Sequence, residues 1–98
     1  MWILQSSQDD AGAVTFRLRP GAIKTVGRAT RADFIVDAAL VSRVHCRLTA
    51  TADVVEVVDL SSTNGTFVND KRVKKAHLGA GDRLRVGRME LKIDKKQK

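Results

Sequence analysis

Ninety-eight residues allow one domain with one compact core. The chain carries 18 Lys and Arg against 11 Asp and Glu, a net charge of +7, which favours anionic partners such as phosphopeptides, acidic peptides or nucleic acid. No apolar run approaches the ~18 residues of a membrane-spanning helix. The lone Cys46 rules out an internal disulfide, and with two histidines it gives no zinc-ligand spacing, so no metal, cofactor or membrane partner is expected.

The opening Met1-Trp2-Ile3-Leu4-Gln5 lacks the basic flank and long apolar stretch of a signal peptide. Val14-Thr15-Phe16-Arg17-Leu18 alternates, with Val14, Phe16 and Leu18 on one face, and predicts a strand that stops at the turn Pro20-Gly21. Ala22-Ile23-Lys24-Thr25-Val26 is the next strand, followed by Gly27. The stretch Asp37-Ala38-Ala39-Leu40-Val41 is irregular, with room for one helical turn at Ala38-Ala39-Leu40. Beyond it Val44, Cys46 and Leu48 oppose Arg43, His45 and Arg47. Val54-Val55-Glu56-Val57-Val58 is β-branched and reads as buried on both faces. Turns follow at 61–65, Asn69-Asp70 and Gly79-Ala80-Gly81. Leu84 and Val86 alternate with Arg83 and Arg85, and Met89-Glu90-Leu91-Lys92-Ile93 alternates as a half-buried strand. All three phenylalanines sit in core-like patterns. Many short strands between regular turns define an all-β antiparallel sandwich or barrel. Residues 1–93 read as the domain, and 94–98 as a basic tail or boundary of a piece of something longer.

The chemistry lies at the turns. Arg28 follows Gly27 at a strand end, where a glycine lets the backbone approach another group closely. Its guanidinium can match two phosphate oxygens with two parallel hydrogen bonds, although alone it reads more readily as a solvated surface arginine. Ser42 ends a loop, where its hydroxyl can donate to phosphate, and Arg43 adds a second cation. His45 reads as a brace that holds loops through hydrogen bonds. A catalytic relay of Ser42, His45 and Asp59 lacks a nucleophile elbow and an oxyanion hole, and no paired-carboxylate site or nucleotide loop is present, so an enzyme is not expected. In the loop Ser61-Ser62-Thr63-Asn64-Gly65, the Thr63 hydroxyl is a further phosphate donor. The Asn64 amide is either a turn residue with Gly65 or a donor–acceptor pair for a peptide backbone. Asn69 either ties one loop to the next or simply turns the chain with Asp70.

Four signals stand in one order: Val26-Gly27-Arg28, Ser42-Arg43-Val44-His45, Ser62-Thr63-Asn64-Gly65-Thr66-Phe67-Val68-Asn69 and Gly81-Asp82-Arg83-Leu84. Together they resemble the forkhead-associated (FHA) domain, over nearly the whole chain. The resemblance implies a sandwich of about eleven strands with binding loops at one end. It also implies a non-enzymatic module that recruits phosphothreonine-containing partners. By position, Arg28, Ser42 and Thr63 would contact the phosphate, Arg43 the phosphothreonine and peptide backbone, and Asn64 the peptide main chain. Gly27, His45, Gly65 and Asn69 would support the binding loops. A narrower resemblance is to the amino-terminal domain of nibrin-type DNA-repair proteins. It rests on the opening Met1-Trp2, the short distance to Arg28 and Leu48-Thr49-Ala50. It implies BRCT domains beyond this chain, a DNA-break nuclease complex reached through those missing regions, and an intracellular, nuclear location. The alternative is an FHA adaptor in another kinase-signalling pathway.

Two other classes compete. A direct nucleic-acid binder fits the charge, and weak contact through the lysines is allowed, but base-stacking platforms need exposed aromatics. A scaffold for unphosphorylated surfaces would not need both arginines, Ser42 and Asn64. Arg31, Lys71, Arg72, Lys74 and Lys75, on or near neighbouring loops, predict a preference for acidic residues flanking the phosphothreonine.

Overall fold

Period-two alternation decides this fold, because each strand buries one face and wets the other. The computed structural model describes residues 1–6 and 14–96. Its strands are β1 (Trp2–Ser6), β2 (Thr15–Leu18), β3 (Ile23–Gly27), β4 (Phe34–Ile35), β5 (Cys46–Ala50), β6 (Val55–Asp59), β7 (Thr66–Val68), β8 (Lys71–Val73), β9 (Lys75–Leu78), β10 (Arg83–Val86) and β11 (Met89–Lys95). No helix occurs among the described residues. The strands form two sheets, ordered β2-β1-β11-β10-β7-β8 and β4-β3-β5-β6-β9. Neighbours are antiparallel except β3 and β4, which run parallel. The expected all-β sandwich of about eleven strands is what the chain forms.

Leu84, Val86, Leu91 and Ile93 from the first sheet and Val26, Leu48, Val55 and Val57 from the second are fully buried and make the core. Trp2 is buried with them, and its indole N–H donates to the Thr51 carbonyl at 2.8 Å, giving the ring's polar handle a partner just beyond β5 of the opposite sheet. Phe16 of β2 stacks on Phe34 of β4 with ring centroids 4.4 Å apart, so the edge strands of the two sheets are closed against each other. Cys46 lies in the core, where burial pushes its thiol up to about 12 and keeps it a neutral, small apolar group.

Several sequence expectations are corrected. Only Val55 and Val57 of the β6 run are fully buried; Glu56 and Val58 face outward, half-buried, because β6 alternates like its neighbours. His45 is buried, not on the exposed side with Arg43, because residues 41–45 precede β5 and do not follow a pleat. Ala38-Ala39-Leu40 forms a turn with Leu40 left-handed (φ 72°), not a helical one. Phe67 does not belong to the core: its neighbours Thr66 and Val68 turn inward and its ring turns outward. Asp94 and Lys95 belong to the sheet, since they pair with Ile3 and Trp2 in β11; Gln97 and Lys98 lie outside the described residues.

Because β3, β5 and β6 are neighbours with alternating direction, the end of β3, the start of β5 and the end of β6 meet at one end of the sandwich. The loops 28–33, 36–45 and 60–65 all emerge there. The packing makes a quantitative prediction. Leu48→Ala should destabilise the domain by about 2–5 kcal/mol. This is read from urea unfolding followed through the emission of Trp2, the single tryptophan, which should shift to the red as the core opens.

Candidate functional site

The loop end holds an open groove of about 560 Å³ lined by Arg28, Asp37, Ala38, Ala39, Leu40, Val41, Ser42, Arg43, Thr63 and Asn64. All five residues expected to contact a phosphopeptide line it: Arg28, Ser42, Arg43, Thr63 and Asn64. Two guanidinium groups face one carboxylate, Asp37, so the groove is cationic on balance.

The groove exists because two backbones touch. Arg28 N–H donates to the Ser42 carbonyl at 2.9 Å and Ala29 N–H to the Arg43 carbonyl at 3.1 Å. At Gly27 a Cβ would strike the Arg43 carbonyl, so only glycine permits this approach. Arg28 Nε donates to the Val41 carbonyl at 3.1 Å, which fixes the plane of the guanidinium and leaves its Nη groups for a ligand. Ser42 Oγ accepts the Thr63 N–H at 3.0 Å, which leaves the hydroxyl proton free to donate into the groove. Asn64 Nδ2 donates to the Leu40 carbonyl at 3.1 Å, leaving Oδ1 and the second N–H open. That bond also holds Leu40 in its left-handed conformation, a costly one for a bulky side chain, on the rim of the groove. Asn64 itself does not adopt positive φ; Ser61 and Gly65 turn this loop.

His45 sits beneath the groove, fully buried. Its Nδ1 accepts the Ser42 N–H at 3.1 Å. Nε2 therefore carries the ring proton and donates to the Gly65 carbonyl at 2.8 Å. One ring thus fixes the distance between the loop that bears Ser42 and Arg43 and the loop that bears Thr63 and Asn64. The catalytic arrangement weighed from sequence is not formed: the ring meets the Ser42 backbone and not its hydroxyl, and Asp59 bonds elsewhere.

Asp59 is the residue whose role the sequence reading missed. Its carboxylate accepts from Ser62 Oγ at 2.5 Å, Ser62 N–H at 3.2 Å and Thr66 Oγ1 at 2.6 Å, and Ser62 Oγ in turn accepts the Gly65 N–H at 3.0 Å. Burial opposes the charge, but these hydrogen bonds outweigh it and hold the carboxyl below its ordinary value of 3.8. The signal was present in Asp59-Leu60-Ser61-Ser62, an acid with a serine three residues on, a pattern that ties side chain to backbone in a turn. Asn69 is placed differently from its expected role. Its Oδ1 accepts the Arg83 N–H at 3.0 Å and its Nδ2 donates to Asp82 at 3.1 Å, at the other end of β7. It also has positive φ beside Asp70. It is thus both tie and turn, but it secures the sheet roughly 10 Å of strand away from the binding loops.

This fold, with a groove built on Gly27-Arg28, Ser42-Arg43, His45 and Asn64-Gly65, is that of one family of domains. The FHA domain model matches residues 24–87, and the chain belongs to that family. The chain is 41% identical over 80 residues to an ABC transporter ATP-binding/permease protein of Mycobacterium tuberculosis, a match that covers 82% of this chain and 9% of that protein. It is 37% identical over 83 residues to FHA domain-containing protein FhaA of the same organism, covering 85% of this chain and 16% of that one. The chain thus spans a minor part of the length of these curated relatives. Among solved structures, one from a structural and functional analysis of phosphothreonine-dependent FHA domain interactions superposes with a TM-score of 0.86 at 34% identity, over 99% of this chain and 98% of that one. The named relatives are bacterial. They lend nothing to the narrower nibrin-type expectation, nor to the nuclear location and nuclease complex that came with it.

Two outcomes test this architecture. Gly27→Ala should cost at least about 2 kcal/mol, because the added methyl meets fixed backbone and not a side chain that can move away. Thermal unfolding reads this directly. Asp59→Asn keeps the shape and removes the charge. Since the native carboxyl titrates below 3.8, its contribution is complete above that value and is lost as pH falls through the lower native value. Denaturant midpoints of wild type and Asp59→Asn should differ at neutral pH and converge in strong acid.

Proposed function

We propose that this domain binds phosphothreonine peptides and recruits phosphorylated proteins, as an adaptor in kinase signalling. The observation that carries this reading is the division of labour inside the groove. Each of Arg28, Ser42 and Asn64 uses one polar atom to hold the loops together and keeps its remaining donors for a ligand. The phosphothreonine-dependent interactions of the 34%-identical solved relative support it.

In this reading Arg28, Ser42 and Thr63 receive the phosphate, Arg43 bridges phosphate and peptide backbone, and the open Asn64 Oδ1 takes a peptide N–H. A phosphothreonine brings about −1.5 to −2 charges and three acceptor oxygens. Hydrogen bonds to charged groups contribute roughly 1.5–3 kcal/mol each, so two or three give on the order of 4–6 kcal/mol between phosphorylated and plain peptide. That is about a thousandfold in affinity or more. The threonine methyl needs a small apolar niche. Leu40, held out on the rim, and Ala38, Ala39 and Val41 are the apolar side chains that line the groove.

The test is fluorescence anisotropy with one peptide core in phosphothreonine, phosphoserine and unmodified forms, against wild type and Arg28→Ala at physiological salt. Only the phosphothreonine form should bind, and Arg28→Ala should weaken it by roughly a hundredfold. Equal binding of all three forms would discard the proposal.

A further inference from the structure

The outer face of the first sheet carries charge that the groove does not use. Arg72, Phe67 and Arg85 stand directly opposite one another on β8, β7 and β10. Their neighbours Thr66, Leu84 and Val86 are buried, so pleating turns these three side chains outward. The Arg85 guanidinium lies over the half-buried Phe67 ring, 4.1 Å from its centroid. Glu90 is opposite Arg85 in register, yet the two form no ion pair. The ion pairs among the described residues join Glu56 to Lys75 and Asp70 to Arg83, and the His77 ring lies 3.4 Å from the same Glu56 carboxylate. Arg72 and Arg85 are therefore uncommitted cations on an ordered strip.

The strip begins at the groove. Arg72 lies against the bare Cα of Gly65, where a Cβ would come within 2.7 Å of its Nε. Gly65 directly follows Asn64, which lines the groove. From Asn64 to Phe67 is about 10 Å along the strand, and each adjacent strand is a further ~5 Å away. An extended peptide passing Asn64 covers that distance in about five residues.

We infer that the Arg72–Phe67–Arg85 strip is a second contact surface, which takes an acidic stretch of the same phosphoprotein whose phosphothreonine fills the groove. The inference rests on the phosphothreonine reading and names a further feature of the partner. Stacking over Phe67 restrains the Arg85 guanidinium, so its side-chain freedom is already reduced before its N–H groups meet a carboxylate. The same stacking covers the ring, which removes the platform a nucleic-acid base would need. Carboxylates suit the strip better than bases do.

The experiment compares three phosphothreonine peptides: the core alone, and the core with a run of glutamates about five residues out on one side or the other. One of the two tracts should tighten binding by roughly three- to tenfold at low salt, with the gain fading as salt rises. Arg72→Gln with Arg85→Gln should abolish the gain and leave the core peptide unchanged. Arg85→Gln alone, remote from Gly65, should remove part of it. No gain from either tract, or equal loss for core and extended peptides, would overturn the inference. If the core itself fails to bind wild type, the phosphothreonine reading falls. The strip is then judged by NMR with an isotope-labelled domain and an unphosphorylated acidic peptide. Shifts at the Phe67 and Arg85 amides would support an acid-binding surface, and none would refute it. Single-stranded DNA shifting those amides more strongly than the acidic peptide would also overturn it.

Discussion

Everything at the loop end depends on one buried imidazole. The groove has two walls from distant parts of the chain, and His45 is bonded to both. Its two nitrogens face different groups, a donor on one side and an acceptor on the other, so a single tautomer satisfies both walls at once. No aliphatic side chain could replace it, and a buried ring with one nitrogen unmatched would carry a desolvation cost of its own. Around this link the other constraints fall into place. Gly27 lets β3 come up against the Ser42–Arg43 backbone, and the Asp59 carboxylate folds the following loop so that the Gly65 carbonyl points down to the ring.

These bonds are made inside the protein before any ligand arrives. That matters for affinity, because loops that must be ordered on binding spend interaction energy on their own entropy. Here the polar backbone groups that shape the groove are already paired, and what is left over points outward. The strained Leu40 backbone belongs to the same logic. A left-handed leucine persists where the surroundings over-determine it, and the Asn64 amide is one of the groups that does so.

The alternating strands were legible in the sequence because their pattern is itself the cause of the fold. Met89, Leu91 and Ile93 turn inward as their spacing requires, and so do Leu84 and Val86. The groove residues were legible because arginine, serine and asparagine at turns have few other reasons to cluster. The failures have physical causes. Strands β4, β8 and β9 are two to four residues long, and β8 and β9 include exposed lysines or arginines, so they are held by pairing with neighbours and not by a visible pattern. His45 was assigned to the wrong side because strand alternation was extended back into a loop. Phe67 was assigned to the core because aromatic residues usually go there; its register with Arg72 and Arg85, which appears only when the sheet is assembled, turns it outward. The Asp59 network joins residues within one turn, and its strength comes from partial burial that composition does not reveal.

The pairing of β1 with β11 has a consequence for how such a domain can be carried. The Lys96 N–H donates to the Met1 carbonyl at 2.7 Å, so the chain enters and leaves the sandwich at nearly the same point. Gly87, in the turn before β11, lies against the backbone of Ala39 and Leu40 at the groove, and β11 then runs seven residues away from it. Entry and exit are therefore some 20 Å behind the ligand, side by side. A binding unit wired from the back in this way can be spliced into a loop of a larger protein, or hung from either of its termini, without a linker crossing the mouth of its own site.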